Sequence, residues 1–468
     1  MADDFFLLSL TEIGGLIAAG EASPVEITEA MLARIEALEP QLHAFATLTA
    51  ERAIEDARRA EAEIVRGEAR GPLHGVPIAL KDLVDTKGIE TAAGTKAMAG
   101  RVPEADATVA ARLAEAGTVL LGKLAMTEGA FSEHRPERPE PRNPWSGKHW
   151  TGVSSSGAGV AVAAGLCFGA LGSDTGGSIR FPSSACGVTG LKPSWGRISR
   201  HGIFPLAPSL DHVGPMARSA ADCALLFDAI AGADPADPTS RDAPDMEAGR
   251  TIGVDRAVLT SVHADVGAAL EQALDTFAAL GFEIKEIALP PLEPFARGWA
   301  VTTGVEAAIA HADLFDAAPE DYGPAMRMLI ELGRSAAARD YAALHQARLA
   351  FAGAMARLHE RADIVVLPAL PVPTPTLEML ATGGNDPEVV ASLLRFTAAF
   401  NYSGQPSLTL PGGFDSQSLP IGVQLIGPVL SESRLLHAGM AFQQATGWHL
   451  QAPPLTAATV ARPPLGAG

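Results

Sequence analysis

Three consecutive serines, Ser154, Ser155 and Ser156, stand ahead of a fourth, Ser178, which a glycine turn presents in GSDTGGSIR. A serine hydroxyl is a weak nucleophile until a base takes its proton. Hydroxyls held about one point, next to free backbone N–H groups, are the parts that acyl transfer needs. Thr175-Gly176-Gly177 supplies those N–H groups with few side chains to block approach, and a good oxyanion donor is worth roughly 3–4 kcal/mol. A phosphate-binding nest would use the same glycine N–H groups. A phosphate loop, however, continues with Lys-Ser or Lys-Thr, whereas this turn continues Ser-Ile-Arg-Phe-Pro.

Two residues compete as the base. His212, in LDHVGP, invites a Ser-His-Asp reading with Asp211 beside it. Neighbours on a strand point to opposite faces, and no Gly-x-Ser-x-Gly elbow surrounds Ser178, so His212 is read as structural. Lys81 ends the apolar run Val76–Leu80, where desolvation would lower its pKa. A free lysine titrates near ~10.4, so a neutral amine near pH ~7 costs on the order of 4 kcal/mol. The alternative for Lys81 is a surface pair with Asp82 at the strand end.

These residues need elements to hold them. The small-residue stretch from Ala158 to Leu166 predicts a helix that can be packed on all sides, which fixes the two serine clusters relative to each other. Residues from Leu7 to Arg66 read as helices. Ser23-Pro24 with Glu26 marks one start, and apolar positions recur at helical spacing from Val25 to Leu38. Thr49–Val65 reads as a further helix with a solvated face. Strands are expected at Val76–Leu80 and Thr118–Gly122 with a helix over Thr108–Ala116 between them, and later at Arg250–Val254, Asp363–Leu367, Ser407–Leu410 and Ile421–Ile426. Helices are expected over 218–231, 262–280, 336–360 and 431–445. The Pro-rich 135–145 and the segments Asp234–Asp245 and Thr374–Asp386 read as exposed connections.

Composition removes several classes of function. The chain has 468 residues, is 47% hydrophobic and 19% charged, and carries a formal charge of −19, so it is globular and repelled by phosphate backbones. No nucleic-acid partner is expected. Cys167, Cys186 and Cys223 are odd in number and lack CxxC spacing, which fits buried thiols in a reducing cytoplasm. The acidic start MADDFFLLSLTE is unlike a signal peptide, and no apolar run reaches membrane-spanning length. Gly157-Ala158-Gly159 has no strand before it and is not a dinucleotide loop, and no HExxH or similar spacing suggests a metal.

Lys81 after an apolar strand, the serine cluster, and then GSDTGGSIRFPSSACGVTGLKPSWGRIS together resemble the amidase signature family. The resemblance extends over most of the chain, through the late LTLPGGF and LPIGVQLIGP segments. It implies a single large α/β domain: a mixed twisted sheet covered by helices on both faces, with a helical N-terminal layer over 7–66, a core carrying the motif over 71–215, and the rest of the sheet and the pocket helices over 216–468. It also implies a Ser–cis-Ser–Lys triad with Ser178 as nucleophile, Ser154 as the bridging cis-serine and Lys81 as base. By the same resemblance Thr175, Gly176, Gly177 and Ser178 form the oxyanion hole. Ser155 supports the triad, Ala130 lies at the substrate mouth together with Ser154, and Asp174 with Arg180 braces the loop. The cluster usually reads GGSSGG in that family. Here it is Gly152-Val153-Ser154-Ser155-Ser156-Gly157, so the cis bond would join valine to serine.

What the resemblance implies is an amidohydrolase that cleaves a carboxylic amide C–N bond through a serine acyl-enzyme, without cofactor or metal. A small, apolar or aromatic amide, anilide or carbamate is the expected substrate. The family also holds the glutamine-hydrolysing component of a tRNA-dependent amidotransferase, whose site resembles one that binds the amino acid with an Asp and an Arg. The matching positions here are Leu394 and either Met328 or Leu329, with Arg327 and Arg395 one residue away. An apolar pair leaves a zwitterion's charges unpaired. A catalytically silent binding protein of the same fold would have lost Lys81, Ser154 or Ser178, and this chain keeps all three. A homodimer is compatible with the sequence.

Overall fold

Lys81 closes a strand whose five residues, Pro77–Lys81, are all buried. An unbroken apolar strand of this kind belongs inside a sheet covered on both faces. In the computed structural model, which describes residues 5–244, 246–384 and 386–455, that strand lies near the middle of one half of an eleven-stranded mixed sheet. The strands are β1 Phe45–Leu48, β2 Pro77–Lys81, β3 Val119–Leu124, β4 Gly169–Asp174, β5 Thr189–Lys192, β6 His212–Ala217, β7 Thr251–Val254, β8 Glu283–Glu286, β9 Ile364–Pro368, β10 Ser407–Phe414 and β11 Pro420–Ile426. Their order is β1-β3-β2-β4-β6-β5-β10-β11-β9-β7-β8. β2 runs parallel to β3 and β4, β7 runs parallel to β8 and β9, and the strands between β4 and β9 pair antiparallel. Helices pack over the sheet, so the chain is a single α/β domain.

The helix Ser156–Ala163 shows why small residues recur in the motif. Every one of its residues is buried, and it packs against β4 on one side and the helix Arg180–Cys186 on another. Alanine, glycine and valine let a helix be enclosed on all sides at close range. The serines at its start and the turn after β4 are thereby held in one frame. The helix Pro24–Leu42 begins as expected, with Ser23 Oγ accepting from the N–H groups of Val25 and Glu26 and Pro24 in the first turn.

Several elements differ from the sequence expectation. The N-terminal layer is not purely helical. His43 adopts a left-handed conformation at φ 52° and ends the helix, and the Glu39 carboxylate accepts from the N–H groups of Ala44 and Phe45. The chain then turns into β1, which pairs antiparallel with β3. Thr374–Asp386 is not merely a connection, because Leu377–Gly383 is a helix capped by Thr376 Oγ1. Strands β4, β5 and β6, GALGSD, TGLK and HVGPMA, were not foreseen, and they lack the β-branched and aromatic runs that announce a strand. All three are wholly buried, so burial by their neighbours decides their conformation. The long helices Glu293–Ala310 and Pro324–Ser335 are further elements outside the expectation. Residues 1–4 and 456–468 of the expected domain, residue 245 of the 234–245 connection and residue 385 of the 374–386 connection lie outside the described residues.

Candidate active site

β2 delivers Lys81 into the protein with no solvent exposure at all. Its Nζ lies 2.7 Å from Ser154 Oγ, 2.9 Å from Ser155 Oγ and 2.8 Å from Ser173 Oγ. Among the described residues no carboxylate pairs with it. Burial pushes its pKa down to about 7, partly opposed by the charges of Asp174 and Asp211. The three hydroxyls are not equivalent. Ser155 Oγ donates to Ser173 O at 3.1 Å and accepts from Ser173 N at 3.2 Å, so its proton is committed to the backbone and it can only accept from the lysine. The peptide bond between Val153 and Ser154 is cis.

Ser178 stands at the other end of the serine cluster. Its residue is 9% exposed and lines the cavity described below, and its carbonyl accepts from Ser155 N at 3.3 Å. Among the described residues its hydroxyl makes no hydrogen bond to the protein, so the Lys81–Ser154 contact is formed and the Ser154–Ser178 contact is not. The turn before it is glycine by necessity. Gly177 has φ 146°, in the left-handed half of the map, and a Cβ on Gly176 would come within 2.6 Å of Trp299 Nε1. The N–H groups from Thr175 to Ser178 have no protein acceptor among the described residues, while the carbonyls of Thr175 and Gly176 do have donors. They accept from Trp299 Nε1 at 2.9 Å and from Thr397 Oγ1 at 2.5 Å.

Asp174 and Arg180 close the base of this turn. Arg180 donates to both carboxylate oxygens, at 2.8 and 3.0 Å, and also reaches Asn401 Oδ1, Gln424 Oε1 and Thr397 O, with neither side chain exposed. Burial works against the charged Asp174, but Arg180, Lys192 and Asn401 outweigh it and hold the carboxyl well below the usual carboxylate range. His212 sits apart from this chemistry. Its Nδ1 lies 2.6 Å from Leu210 O, and burial, aided by Lys192, holds its pKa well below the ordinary histidine value. Ser156 Oγ lies 3.0 Å from Nε2 of His134, whose pKa burial pushes down to about 4.

The cavity over Ser178 has a volume of about 180 Å³. Its walls are the rings of Phe131, Trp150, Phe181 and Trp299 and the aliphatic side chains of Val153, Leu380, Val390, Leu393 and Leu394. Glu133 is the one charged group among the described residues that line it. Ala130, expected at the mouth, is 4% exposed and lies behind the wall with φ 63°, and its neighbours Phe131, Ser132 and Glu133 face the cavity instead. Leu394 does line the cavity, whereas Met328 is 58% exposed and Leu329 is buried elsewhere. Arg327 donates to Tyr322 O, and Arg395 lies over the Phe396 ring and donates to Ser261 Oγ, so neither enters the cavity. Among the described residues no group of three or more His, Cys, Asp or Glu is placed to hold a metal ion, and no helix is long and apolar enough to cross a membrane.

Sequence reasoning missed Ser173, Trp299, Thr397 and Asn401. Ser173 stood in view as the residue before Asp174, but nothing in a single strand tells which hydroxyl will meet a lysine from another. Thr397 and Asn401 are four apart, the spacing of one helical face, which was the available signal. Trp299 carries none.

The family model described as Amidase matches residues 26–436. The chain is 47% identical over 456 residues to the putative amidase AmiD of Mycobacterium tuberculosis, covering 96% of each. It is 38% identical over 489 residues to the A-type subunit of the glutamyl-tRNA(Gln) amidotransferase of Moorella thermoacetica, covering 97% of this chain and 99% of that one. Among solved structures, 6-aminohexanoate cyclic dimer hydrolase complexed with substrate superposes with a TM-score of 0.86 at 29% identity, covering 96% of this chain and 99% of the other. The native peptide amidase from Stenotrophomonas maltophilia superposes with a TM-score of 0.82 at 29% identity, covering 96% and 98%. Fold and relatives define a hydrolase of amide C–N bonds built on a mixed α/β sheet. The chain belongs to the amidase family.

Proposed function

We propose that this amidase cleaves a neutral amide with an apolar or aromatic acyl group through an acyl-enzyme on Ser178, with Lys81 as base and Ser154 as the relay between them. The observation that carries the reading is the environment of Lys81, a fully buried amine whose partners among the described residues are three hydroxyls and no carboxylate. A neutral amine has two N–H donors and one lone pair. Ser155 can only accept and so takes one N–H donor. Ser154 and Ser173 make no other side-chain hydrogen bond among the described residues; we give the lone pair to Ser154, whose neighbour Ser155 donates its N–H to Ser178 O, and the second N–H to Ser173. Ser154 then gives its proton to Lys81 while accepting one from Ser178, and Ser178 Oγ bonds to the carbonyl carbon. The carbonyl electron pair moves to oxygen, where the N–H groups of the 175–178 turn are free to bind it. The proton returns along the same path to the leaving nitrogen as the C–N bond breaks. Water, deprotonated by the same relay, cleaves the ester. The missing Ser154–Ser178 contact must form when substrate is bound, as catalytic hydrogen bonds often tighten only in the complex.

The cavity supports the choice of substrate. Its rings and aliphatic side chains reward an apolar acyl group at about 25 cal/mol per Å² buried, and with Glu133 as the one charged group on the wall among the described residues a zwitterion's carboxylate finds no cation to pair with. Leu394 on the wall and the outward Arg395 therefore favour a self-sufficient hydrolase over a glutamine-hydrolysing component of a larger enzyme. The acidic balance and three buried cysteines support a cytoplasmic enzyme acting on a small molecule rather than on nucleic acid. The test is a panel of aromatic and aliphatic anilides, amides and carbamates beside glutamine, with Ser178→Ala, Ser154→Ala and Lys81→Ala. Turnover of neutral apolar substrates, lost by roughly 10⁴-fold in each variant, is expected. Undiminished turnover by Ser178→Ala, or a preference for glutamine, overturns the reading.

A further inference from the structure

The four N–H groups of the 175–178 turn have no side chains of their own to aim them at Gly176 and Gly177. Two consecutive glycines are the most mobile dipeptide a chain can offer, and an oxyanion donor is useful only if it is fixed before charge develops. Something outside the turn must fix it. We infer that Trp299 and Thr397 are positioning residues that aim the oxyanion donors by gripping the turn's carbonyls. The inference rests on reading this turn as the oxyanion hole.

The geometry is direct. A trans peptide is planar, with its carbonyl and N–H pointing in opposite directions. Trp299 Nε1 donates to Thr175 O at 2.9 Å and so orients the Gly176 N–H away from the indole. Thr397 Oγ1 donates to Gly176 O at 2.5 Å, nearer than its second acceptor Leu394 O at 3.3 Å, and so orients the Gly177 N–H. The hydroxyl of Thr175 is itself held by Asp211 Oδ1 at 2.6 Å, which stops the turn from pivoting at its start. Two successive peptide planes are thus set by side chains that come from distant parts of the chain. Both are buried, Thr397 completely.

The two grips differ in a way that makes the inference testable. Trp299 also forms the cavity wall, stacked on Phe131 with ring centroids 5.9 Å apart, so it touches whatever fills the cavity. Thr397 does not line the cavity. Its carbonyl accepts from Arg180, a bond that a side-chain change leaves in place. Loss of the Thr397 hydroxyl therefore reaches the reaction chiefly through the turn, its other bond being the longer one to Leu394 O.

The experiment uses the full chain and a neutral anilide that it turns over. Thr397→Val keeps the shape and removes the hydroxyl, Thr397→Ser restores it, and Trp299→Phe keeps a ring and removes the N–H. We expect Thr397→Val to lower kcat by about 10- to 100-fold with KM within about twofold, and to weaken a boronic acid that forms a tetrahedral adduct on a serine by a similar factor. Thr397→Ser should recover kcat to within about threefold, and Trp299→Phe should lower kcat in the same way. Should Thr397→Val fail to fold by circular dichroism, the same measurements on Trp299→Phe decide. Full kcat in both variants, unchanged boronic acid affinity, or a loss that serine does not restore overturns the inference. Ser178→Ala separates the two levels. If it stays active, the reading of the turn has failed; if it is dead while both grip variants run at full rate, only the grip is wrong.

Discussion

Ser173→Ala should move the acidic limb of the pH–rate profile to lower pH. Ser173 Oγ lies 2.8 Å from Lys81 Nζ, and the amine is wholly buried, so alanine at 173 removes one of its three hydroxyl partners. The ammonium form donates three hydrogen bonds and loses one that is charge-assisted, worth about 1.5–3 kcal/mol; the neutral form loses one worth about 0.5–1.5 kcal/mol. The charged form is therefore penalised by a further ~1.4 kcal/mol, which is about one pH unit. The proposed reaction needs the neutral amine, which exists above the lysine pKa and disappears as pH falls through it. The limb should accordingly sit near the Lys81 value of about 7 in the wild type and near pH ~6 in Ser173→Ala. The assay is kcat/KM for a non-titrating anilide at constant ionic strength across that range. A limb that stays in place, or moves to higher pH, refutes the assignment of Lys81 as the base. His212 offers no rescue, because burial holds its pKa well below the ordinary value and its Nδ1 is engaged with Leu210 O.

Two further outcomes follow from the same geometry. Asp174→Asn leaves Arg180 as an uncompensated buried charge and should cost about 3–5 kcal/mol in urea unfolding at neutral pH. The Asp174 carboxyl is held below its unfolded value, so its stabilisation is present above the unfolded pKa of ~3.9 and drains away as pH falls towards the lowered folded value, and the variant should show a flatter stability profile there. Leu394→Asp puts a carboxylate on the apolar wall and should reduce kcat/KM for neutral anilides by at least about tenfold with Ser178 reactivity toward a small fluorophosphonate retained; an unchanged kcat/KM would mean that the acyl group lies elsewhere.

Much of the frame was legible because the motif's composition reports its own burial. The helix Ser156–Ala163 was visible from alanine and glycine at high density, and β2 from an apolar run bounded by Gly and Pro. The structure brings Lys81, Ser154, Ser155, Asp174 and Arg180 into one buried cluster. What could not be read were contacts made by tertiary convergence. Ser173, Trp299 and Thr397 meet the site from β4 and from segments more than a hundred residues downstream, and no local pattern records the meeting. β4, β5 and β6 escaped for a related reason. Glycine, proline and serine have low strand propensity, and only the surrounding sheet makes them strands.

The titration of Lys81 is set by the packing that holds the turn. Lys81 ends an apolar strand, and its complete burial lowers its pKa. Desolvation alone would drive a lysine far below its free value; Asp174 and Asp211, close but not in contact with it, push the other way. Both carboxylates have other work. Asp174 is tied to Arg180 and Asp211 to Thr175, and each holds the turn that ends at Ser178. The carboxylates that brace the N–H donors are thus the ones that keep the amine's pKa from falling lower. The same packing that shapes the turn sets the protonation of Lys81, and a change at either carboxylate must register in the geometry of one and the titration of the other.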